Sequence, residues 1–220
     1  MVRQSGRAAR RGQLGAARGG AASSLAQTST GGGLRVMGDT MSDAGDGQTT
    51  LTERNREAMI RGFARFGLDI DPGRIVVTAG ASAALQLACL ALIESGDEIL
   101  MPDPSYPCNR HFVSAAEGKA VLIPTTAEER FQLSAAKVEA AWTQRTRGVL
   151  LASPSNPTGT SIAPDEMARI HRIVSDRGGV TLLDEIYLGL SHDDAFGQTA
   201  LALDDQVISI NSFSKYFNMT

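Results

Sequence analysis

Apolar residues from about residue 52 onward fall into two kinds of block, which alternate along the chain. The short blocks are rich in Val, Ile and Leu, which favours buried β-strands. The longer blocks repeat apolar residues every three or four positions, which favours amphipathic helices. The predicted strands are 74–78, 98–101, 120–123, 148–152, 180–183 and 206–210. The predicted helices are 52–66, 82–94, 108–116, 134–142 and 164–176.

This alternation predicts the fold class. Strands that are apolar on both sides need helices above and below them, and helical crossovers make neighbouring strands parallel. We therefore expect an α/β fold of three layers, αβα, with a mainly parallel sheet in the middle. Ligands of such open sheets bind beyond the carboxyl ends of the strands. The residues that directly follow each predicted strand are therefore the candidates for function.

Residues 1–50 differ in composition from the rest of the chain. They are rich in Ala, Gly, Arg, Ser and Thr and contain few large apolar residues. Burial would not offset the entropy lost on ordering such a segment. We expect it to be disordered, or to come from a wrongly assigned start of the coding sequence. Its Arg-rich, acid-poor composition also fits an organellar transit peptide, although we favour a cytoplasmic protein.

Charge and composition exclude several classes of function. Residues 1–38 hold six arginines and no acid, so the remainder carries 15 basic and 24 acidic residues, a net charge of −9. An acidic body argues against nucleic-acid binding, and the absence of an apolar run of about 18 residues argues against a membrane span. Cys89 and Cys108 lack the spacing of metal ligands, so no metal site is expected. Cys108 follows a Pro-rich turn close to one of the candidate positions.

The first two predicted strands lead into candidate ligand-binding residues. Gly80, Ala81 and Ser82 would let the backbone approach a ligand, and free amides at a helix start favour an anion such as phosphate. Close packing alone would also explain these small residues. After the next strand, two prolines fix the backbone around Tyr106. Its ring either stacks on a flat cofactor or packs as an ordinary core tyrosine.

Two later strands also end in polar residues. Residues 153–159 form either a plain turn or a turn in which one cis X–Pro bond directs the Asn156 amide into a site. Asp184 ends a buried strand, and a carboxylate in that position predicts a positively charged partner. Tyr187 lies three residues further along and can reach the same place with its hydroxyl.

Lys215 follows the last predicted strand, between small hydroxyl residues and aromatic residues. An amine in apolar surroundings loses its proton readily and becomes a nucleophile for carbonyl groups. The alternative is a lysine at a strand end that extends into solvent. Lysine is rare in this chain, since Lys119 and Lys137 are the only others beside eighteen arginines.

Three motifs occur in order, each after an apolar strand: SNPTG at 155–159, DEIY at 184–187 and SFSKYF at 212–217. Together they resemble the pyridoxal-phosphate-dependent aminotransferases of class I/II, which have the aspartate aminotransferase fold type. The resemblance extends over about residues 52–220. It implies that residues 51–220 form a partial large, cofactor-binding domain and that the small C-terminal domain is missing.

The resemblance also implies a role for each candidate residue. Lys215 matches the lysine that binds the cofactor covalently and moves the substrate proton. Asp184 matches the carboxylate that pairs with the pyridinium nitrogen. Tyr187 and Asn156 match the groups that hydrogen-bond the ring oxygen, and Tyr106 matches the aromatic residue that stacks on the ring. The residues that match the phosphate site are Gly80, Ala81, Ser82 and Ser212.

The reaction implied is transfer of an amino group between an amino acid and a 2-oxo acid, in a homodimer with sites at the interface. In the family, three features follow the lysine: an arginine that clamps the phosphate, the small domain, and a strand that inserts between the first and sixth strands. None is found by residue 220. We therefore expect a fragment that is inactive alone, and transamination by the 220-residue chain would contradict this.

Other functions stay open at this point. A lyase or a ring-forming synthase of the same fold would share the cofactor motifs, because these motifs do not select the substrate. An effector domain of a transcription regulator would need a helix-turn-helix before residue 50, and nothing there has that pattern. A degenerate binding module is disfavoured because every polar member of the set around Lys215 is present.

Overall fold

A seven-stranded sheet runs through the residues that the computed structural model describes, 35–38 and 48–219, with side chains from residue 53 onward. These residues belong to one compact unit, 31–220. The strands are β1 (Arg35–Gly38), β2 (Ile75–Thr78), β3 (Glu98–Asp103), β4 (Lys119–Pro124), β5 (Thr146–Ala152), β6 (Val180–Asp184) and β7 (Ile208–Ser212). The helices are α1 (Gln48–Ala64), α2 (Ala81–Leu92), α3 (Pro107–Ala115), α4 (Ala135–Ala141) and α5 (Pro164–Asp176).

The sheet has the order β2-β1-β7-β6-β5-β3-β4, and every strand pair in the described chain is parallel. Short 3₁₀ helices at Pro72–Arg74, Asp194–Phe196 and Ala200–Ala202 connect some of the elements. From β3 the chain adds β4 on one side of the sheet, and it then adds β5, β6 and β7 in turn on the other side of β3. The strand order therefore reverses between β3 and β5. This is the arrangement that brings successive strand ends together at one edge.

Two apolar cores lie on opposite faces of the sheet. Val149 and Leu151 of β5 belong to the same buried cluster as residues of α1, α4 and α5. Leu150, between them, belongs to the cluster that includes residues of α2 and α3. This alternation follows from the two-residue period of a strand, and it makes each central strand apolar on both faces. The predicted three-layer α/β fold with a parallel sheet is thus confirmed.

Strand β1 corrects the expectation for the N-terminal segment. Residues 35–38 lie between β2 and β7, with Gly38 opposite Thr78 on one side and Ser212 on the other. They therefore occupy the position between the first and sixth predicted strands that the family resemblance assigned to a later segment. A four-residue strand is too short to show a two-residue period in the sequence, and it is defined by its pairing with two neighbouring strands. The other expectations for residues 1–50 fall on 1–34 and 39–47, outside the described residues, except that α1 begins at Gln48.

The remaining predicted elements are present, with small changes at their ends. Helix α5 has the predicted bounds, Pro164–Asp176, with the proline at its first turn. Strand β7 begins two residues later than predicted and extends to Ser212, where it pairs with β1. The helices of the described chain include none that is long and apolar enough to cross a membrane.

Candidate active site

The predicted site residues lie in segments that follow strands of one parallel sheet. The register places Ala152 of β5 beside Asp184 of β6, and Asp184 beside Ile210 of β7. Because all of these strands run in the same direction, the segments after them meet at a single edge. The candidate site is this carboxyl edge of the sheet.

Asp184 is the buried acid of the edge, with 7% of its surface exposed. Its Oδ1 atom accepts a hydrogen bond from the Ile186 N–H at 3.1 Å. Burial raises the pKa of Asp184 to about 6; the Ile186 bond opposes this change and the charge of Glu185 adds to it. A carboxylate held in this way is stabilised in its ionised form when a cation binds beside it.

Lys215 and Tyr187 face each other at this edge. The Nζ atom of Lys215 lies 5.9 Å from the centroid of the Tyr187 ring, within the range of a cation–π contact. The turn that carries Lys215 is held by the Ser212 hydroxyl, which accepts a bond from the Ser214 N–H at 3.1 Å. The side chain of Lys215 is exposed, so the expectation of apolar surroundings is wrong for the described chain. The lysine lies past the end of β7, where the sheet no longer covers it.

Tyr106 joins the same group from the segment after β3. The Cys108 thiol raises the pKa of Tyr106 through a hydrogen bond and its charge, with smaller contributions from burial, Tyr187 and Asp184. Tyr106 is therefore within electrostatic reach of Asp184, at the end of β6, and of Tyr187 after it; its stacking on a cofactor stays a prediction. The thiol of Cys108 also lies at the site, a position that the sequence left open.

The start of α2 provides backbone donors at the β2 end of the edge. Gly80 caps the helix with a φ of 91°, a conformation that suits glycine, and no side chain caps the first turn. The first amides of the helix are thus open to an anion. Ser82 is exposed on this turn and Ala81 is half-buried, whereas Ser212 is buried at the end of β7. Strand β1 lies between β2 and β7.

Asn156 lies in the segment after β5, which contains two cis peptide bonds, Ser153–Pro154 and Asn156–Pro157. Backbone bonds close this segment, from the Gly159 N–H to the Ser155 carbonyl at 2.8 Å and from the Ser155 N–H to the Thr160 carbonyl at 2.9 Å. Asn156 is half-buried, and the contacts of the described residues do not join its amide to Tyr187 or Asp184. The structure thus places Asn156 in the segment after β5, and its hydrogen bond to the ring oxygen of the cofactor stays a prediction.

Two buried polar residues at the edge were not singled out from the sequence. The Gln132 amide nitrogen donates to the Ala152 carbonyl at 3.2 Å and to the Thr160 carbonyl at 2.9 Å, so it fastens both ends of the segment that carries Asn156. Glu185 is 1% exposed and follows Asp184 directly. A second acid directly after an apolar strand was the signal available for Glu185, whereas an isolated glutamine in a loop offers no such signal.

Comparison with known proteins shows which family this chain belongs to. The family model "Aminotransferase class I and II" matches residues 37–220, which is most of the chain and includes every candidate residue. The chain belongs to the class I and II aminotransferases. In the described residues, no group of three or more His, Cys, Asp and Glu side chains is arranged to hold a metal ion.

Individual relatives show the extent of the similarity. The chain is 41% identical over 159 residues to the valine–pyruvate aminotransferase of Mycobacterium tuberculosis, which covers 71% of this chain and 40% of the relative. An aminotransferase structure from the same organism has a TM-score of 0.70 and 33% identity, and covers 92% of this chain and 49% of that one. The alanine aminotransferase of Pyrococcus furiosus has a TM-score of 0.68 and 32% identity, with 73% and 41% covered. The chain thus spans about 40% of the length of the curated relative.

Class I and II aminotransferases depend on pyridoxal phosphate, and the side chains at the edge are chemically suited to that cofactor. Asp184 is a buried carboxylate with a raised pKa, which suits a protonated ring nitrogen. The uncapped start of α2 offers amides of the kind that bind phosphate. Lys215 supplies an amine at the same edge, and aldehydes react with amines.

Proposed function

We propose that this chain carries the cofactor site of an amino acid aminotransferase, and that Lys215 binds pyridoxal 5'-phosphate covalently. The observation that carries the proposal is that Asp184 ends β6 and that Lys215, after the adjacent strand β7, lies 5.9 Å from the ring of Tyr187. An amine, a phenol and a buried carboxylate in that arrangement match the aldehyde, ring oxygen and ring nitrogen of one flat molecule.

The other candidates complete the binding of this molecule. Asp184 pairs with the ring nitrogen and keeps it protonated, so that the bound cofactor can accept electrons from the substrate. Tyr187 and Asn156 donate hydrogen bonds to the ring oxygen, and Tyr106 covers the ring face. The phosphate is bound by backbone and hydroxyl groups at Gly80, Ala81, Ser82 and Ser212.

Lys215 has a second task in the proposed reaction. With substrate bound, its free amine would take the α-proton of the substrate and later return it. A group that alternates between base and acid works best when its proton affinity suits the working pH. Pyridoxal phosphate would supply the aldehyde that takes up the amino group and the ring that accepts electrons, and water would supply the oxygen of the 2-oxo acid.

The complete protein is proposed to be cytoplasmic and, as the family resemblance implies, a homodimer. Its partners are then small molecules, an amino acid and a 2-oxo acid. The names of two relatives, a valine–pyruvate and an alanine aminotransferase, support small aliphatic amino acids as the first substrates to test.

An absorbance titration tests the proposal on the chain itself. Addition of pyridoxal phosphate should produce a visible absorbance band that remains after gel filtration. Lys215→Ala should abolish the band, whereas Lys137→Ala should retain it, because Lys137 is engaged elsewhere with Glu129 at 2.7 Å. A protein with the native fold and no band would contradict the proposal. With L-valine or L-alanine added, the loaded 220-residue chain should form no 2-oxo acid, so the choice of substrate is tested on the full-length protein.

A further inference from the structure

Glu185 is a fully buried carboxylate to which the proposed function gives no role. It is 1% exposed. Its Oε2 atom accepts hydrogen bonds from the hydroxyls of Thr199, at 2.7 Å, and Ser209. Its Oε1 atom accepts one from the Ala200 N–H at 2.8 Å. Three donors around one carboxylate favour its ionised form.

The donors come from two separate segments of the chain. Thr199 and Ala200 lie at the start of the 3₁₀ helix Ala200–Ala202, and Ser209 lies within β7. The backbone of Glu185 adds another bond to β7, from its N–H to the Ile210 carbonyl at 2.7 Å. Glu185 therefore connects the end of β6 to the strand that leads into Lys215.

The charge of Glu185 also acts on Asp184, the adjacent residue. The charge of Asp184 in turn acts on Tyr106, which also interacts with Cys108 and Tyr187, and Lys215 lies 5.9 Å from the ring of Tyr187. Burial is the main cause that raises the pKa of Asp184, and Glu185 is the charged neighbour that raises it further. A negative charge on both residues at once is costly in a buried place.

We propose that Glu185 is a positioning residue of the cofactor site, whose hydrogen bonds fasten the end of β6 to β7, the strand that leads into Lys215, and whose charge lies next to Asp184. This proposal rests on the proposed function in its reference to the cofactor. The connection through β7 sets where the amine lies relative to the carboxylate. The charge makes the Asp184 position more negative, which favours a protonated ring nitrogen over a neutral one.

Three variants separate the charge of Glu185 from its hydrogen bonds. Glu185→Gln removes the charge but keeps the size, and its amide can still bond the Thr199 and Ser209 hydroxyls after these rotate. Ser209→Ala removes one hydrogen bond and keeps the charge. Glu166→Gln is the control, because Glu166 also accepts a backbone bond, from the Ala135 N–H at 2.6 Å, but lies on α5.

The first readout is the pH titration of the Asp184 carboxyl carbon by NMR, in the cofactor-free chain. We expect Glu185→Gln to lower the titration midpoint, and Ser209→Ala and Glu166→Gln to leave it unchanged. Ser209→Ala should instead lower the urea midpoint of unfolding. A purely structural role would give the opposite pattern, with stability changed and the midpoint of Asp184 unaffected. That result, or an equal shift in Glu166→Gln, would overturn the proposal.

The second readout is the affinity for pyridoxal phosphate. Glu185→Gln should weaken binding about tenfold, the lower end of the effect that residues supporting the ligands have at metal sites. Unchanged affinity in this variant would contradict the role at the cofactor site. If the unmodified chain failed to bind pyridoxal phosphate, the proposed function would fail, whereas the titration would still decide whether Glu185 controls Asp184.

Discussion

The amine of Lys215 lies over the ring of Tyr187, 5.9 Å from its centroid. The two residues follow β7 and β6, which are adjacent strands of the parallel sheet. Their contact therefore depends on the turns after both strands, and neither turn alone would produce it. Phe213, Tyr216 and Phe217 pack around the turn of Lys215, with the rings of Tyr216 and Phe217 5.0 Å apart.

Gly189→Ala should disturb this turn. Gly189 has a φ of 93°, and an added Cβ would lie 2.7 Å from the Tyr216 ring, next to Lys215. We expect the variant to lose about 1 kcal/mol of stability from backbone strain. The displaced ring should also weaken pyridoxal phosphate binding roughly threefold, equivalent to about 0.7 kcal/mol. Urea unfolding and an absorbance titration measure the two effects.

Gly178→Ala is the matched control for this prediction. Gly178 also has a positive φ, 68°, but an added Cβ would meet no atom within 4 Å. Its strain should cost a similar amount of stability and leave cofactor affinity unchanged. Equal affinities for the two variants would show that the Tyr216 contact does not position Lys215.

Asp184→Asn should stabilise the cofactor-free chain at neutral pH while weakening cofactor binding. Burial raises the pKa of Asp184 from 3.8 to about 6, so the folded state binds the proton more tightly than the unfolded state does. The wild-type chain then loses stability as the pH rises from about 4 to 6, by up to about 3 kcal/mol. Asparagine does not titrate, so its advantage should be largest above pH 6 and disappear near pH 4. Urea unfolding across this range measures it.

Asp193→Asn provides the comparison for Asp184. Asp193 is exposed and makes the same local hydrogen bond, from the N–H two residues ahead, Ala195, at 2.9 Å. Its replacement should therefore change stability little. A pH-independent difference between Asp184→Asn and the wild type would mean that burial does not control the proton affinity of Asp184.

Gly148→Ala tests the close approach of β5 and β6. An added Cβ at Gly148 would overlap the carbonyl oxygen of Val180, its register partner. Backbone atoms cannot move aside cheaply, so we expect a loss of about 2–4 kcal/mol. Gly62→Ala, in α1 with open space around it, should instead gain about 0.5–1 kcal/mol. Urea unfolding measures both changes. Equal free energies of unfolding for Gly148→Ala and Gly62→Ala would contradict the pairing of Gly148 with Val180.

Much of the fold was predictable because local patterns carry it. Helix α5 shows a clear period and a proline at its start, and its predicted bounds were correct. The strands from β2 to β7 were visible as apolar blocks, and their parallel pairing followed from the helices between them. The strand-end location of Asp184, Tyr187 and Lys215 followed in turn, because parallel strands end at one edge.

What the sequence could not provide depends on contacts between distant segments. Strand β1 has four residues and is defined by pairing with β2 and β7 on either side. The exposure of Lys215 depends on how far the turn after β7 extends beyond the sheet. The sequence does not distinguish Glu185 from other acids, because its hydrogen-bond partners Thr199 and Ser209 lie 14 and 24 residues further along the chain.

The most direct test of the central claim is the chemical location of the cofactor. The chain is incubated with pyridoxal phosphate, reduced with borohydride and digested, and the modified peptide is identified by mass spectrometry. We predict a phosphopyridoxyl group on Lys215, at far higher occupancy than on Lys119 or Lys137. The reduced adduct should be lost in Lys215→Ala and retained in Lys137→Ala. Equal labelling of the three lysines, or labelling that persists in Lys215→Ala, would contradict the account.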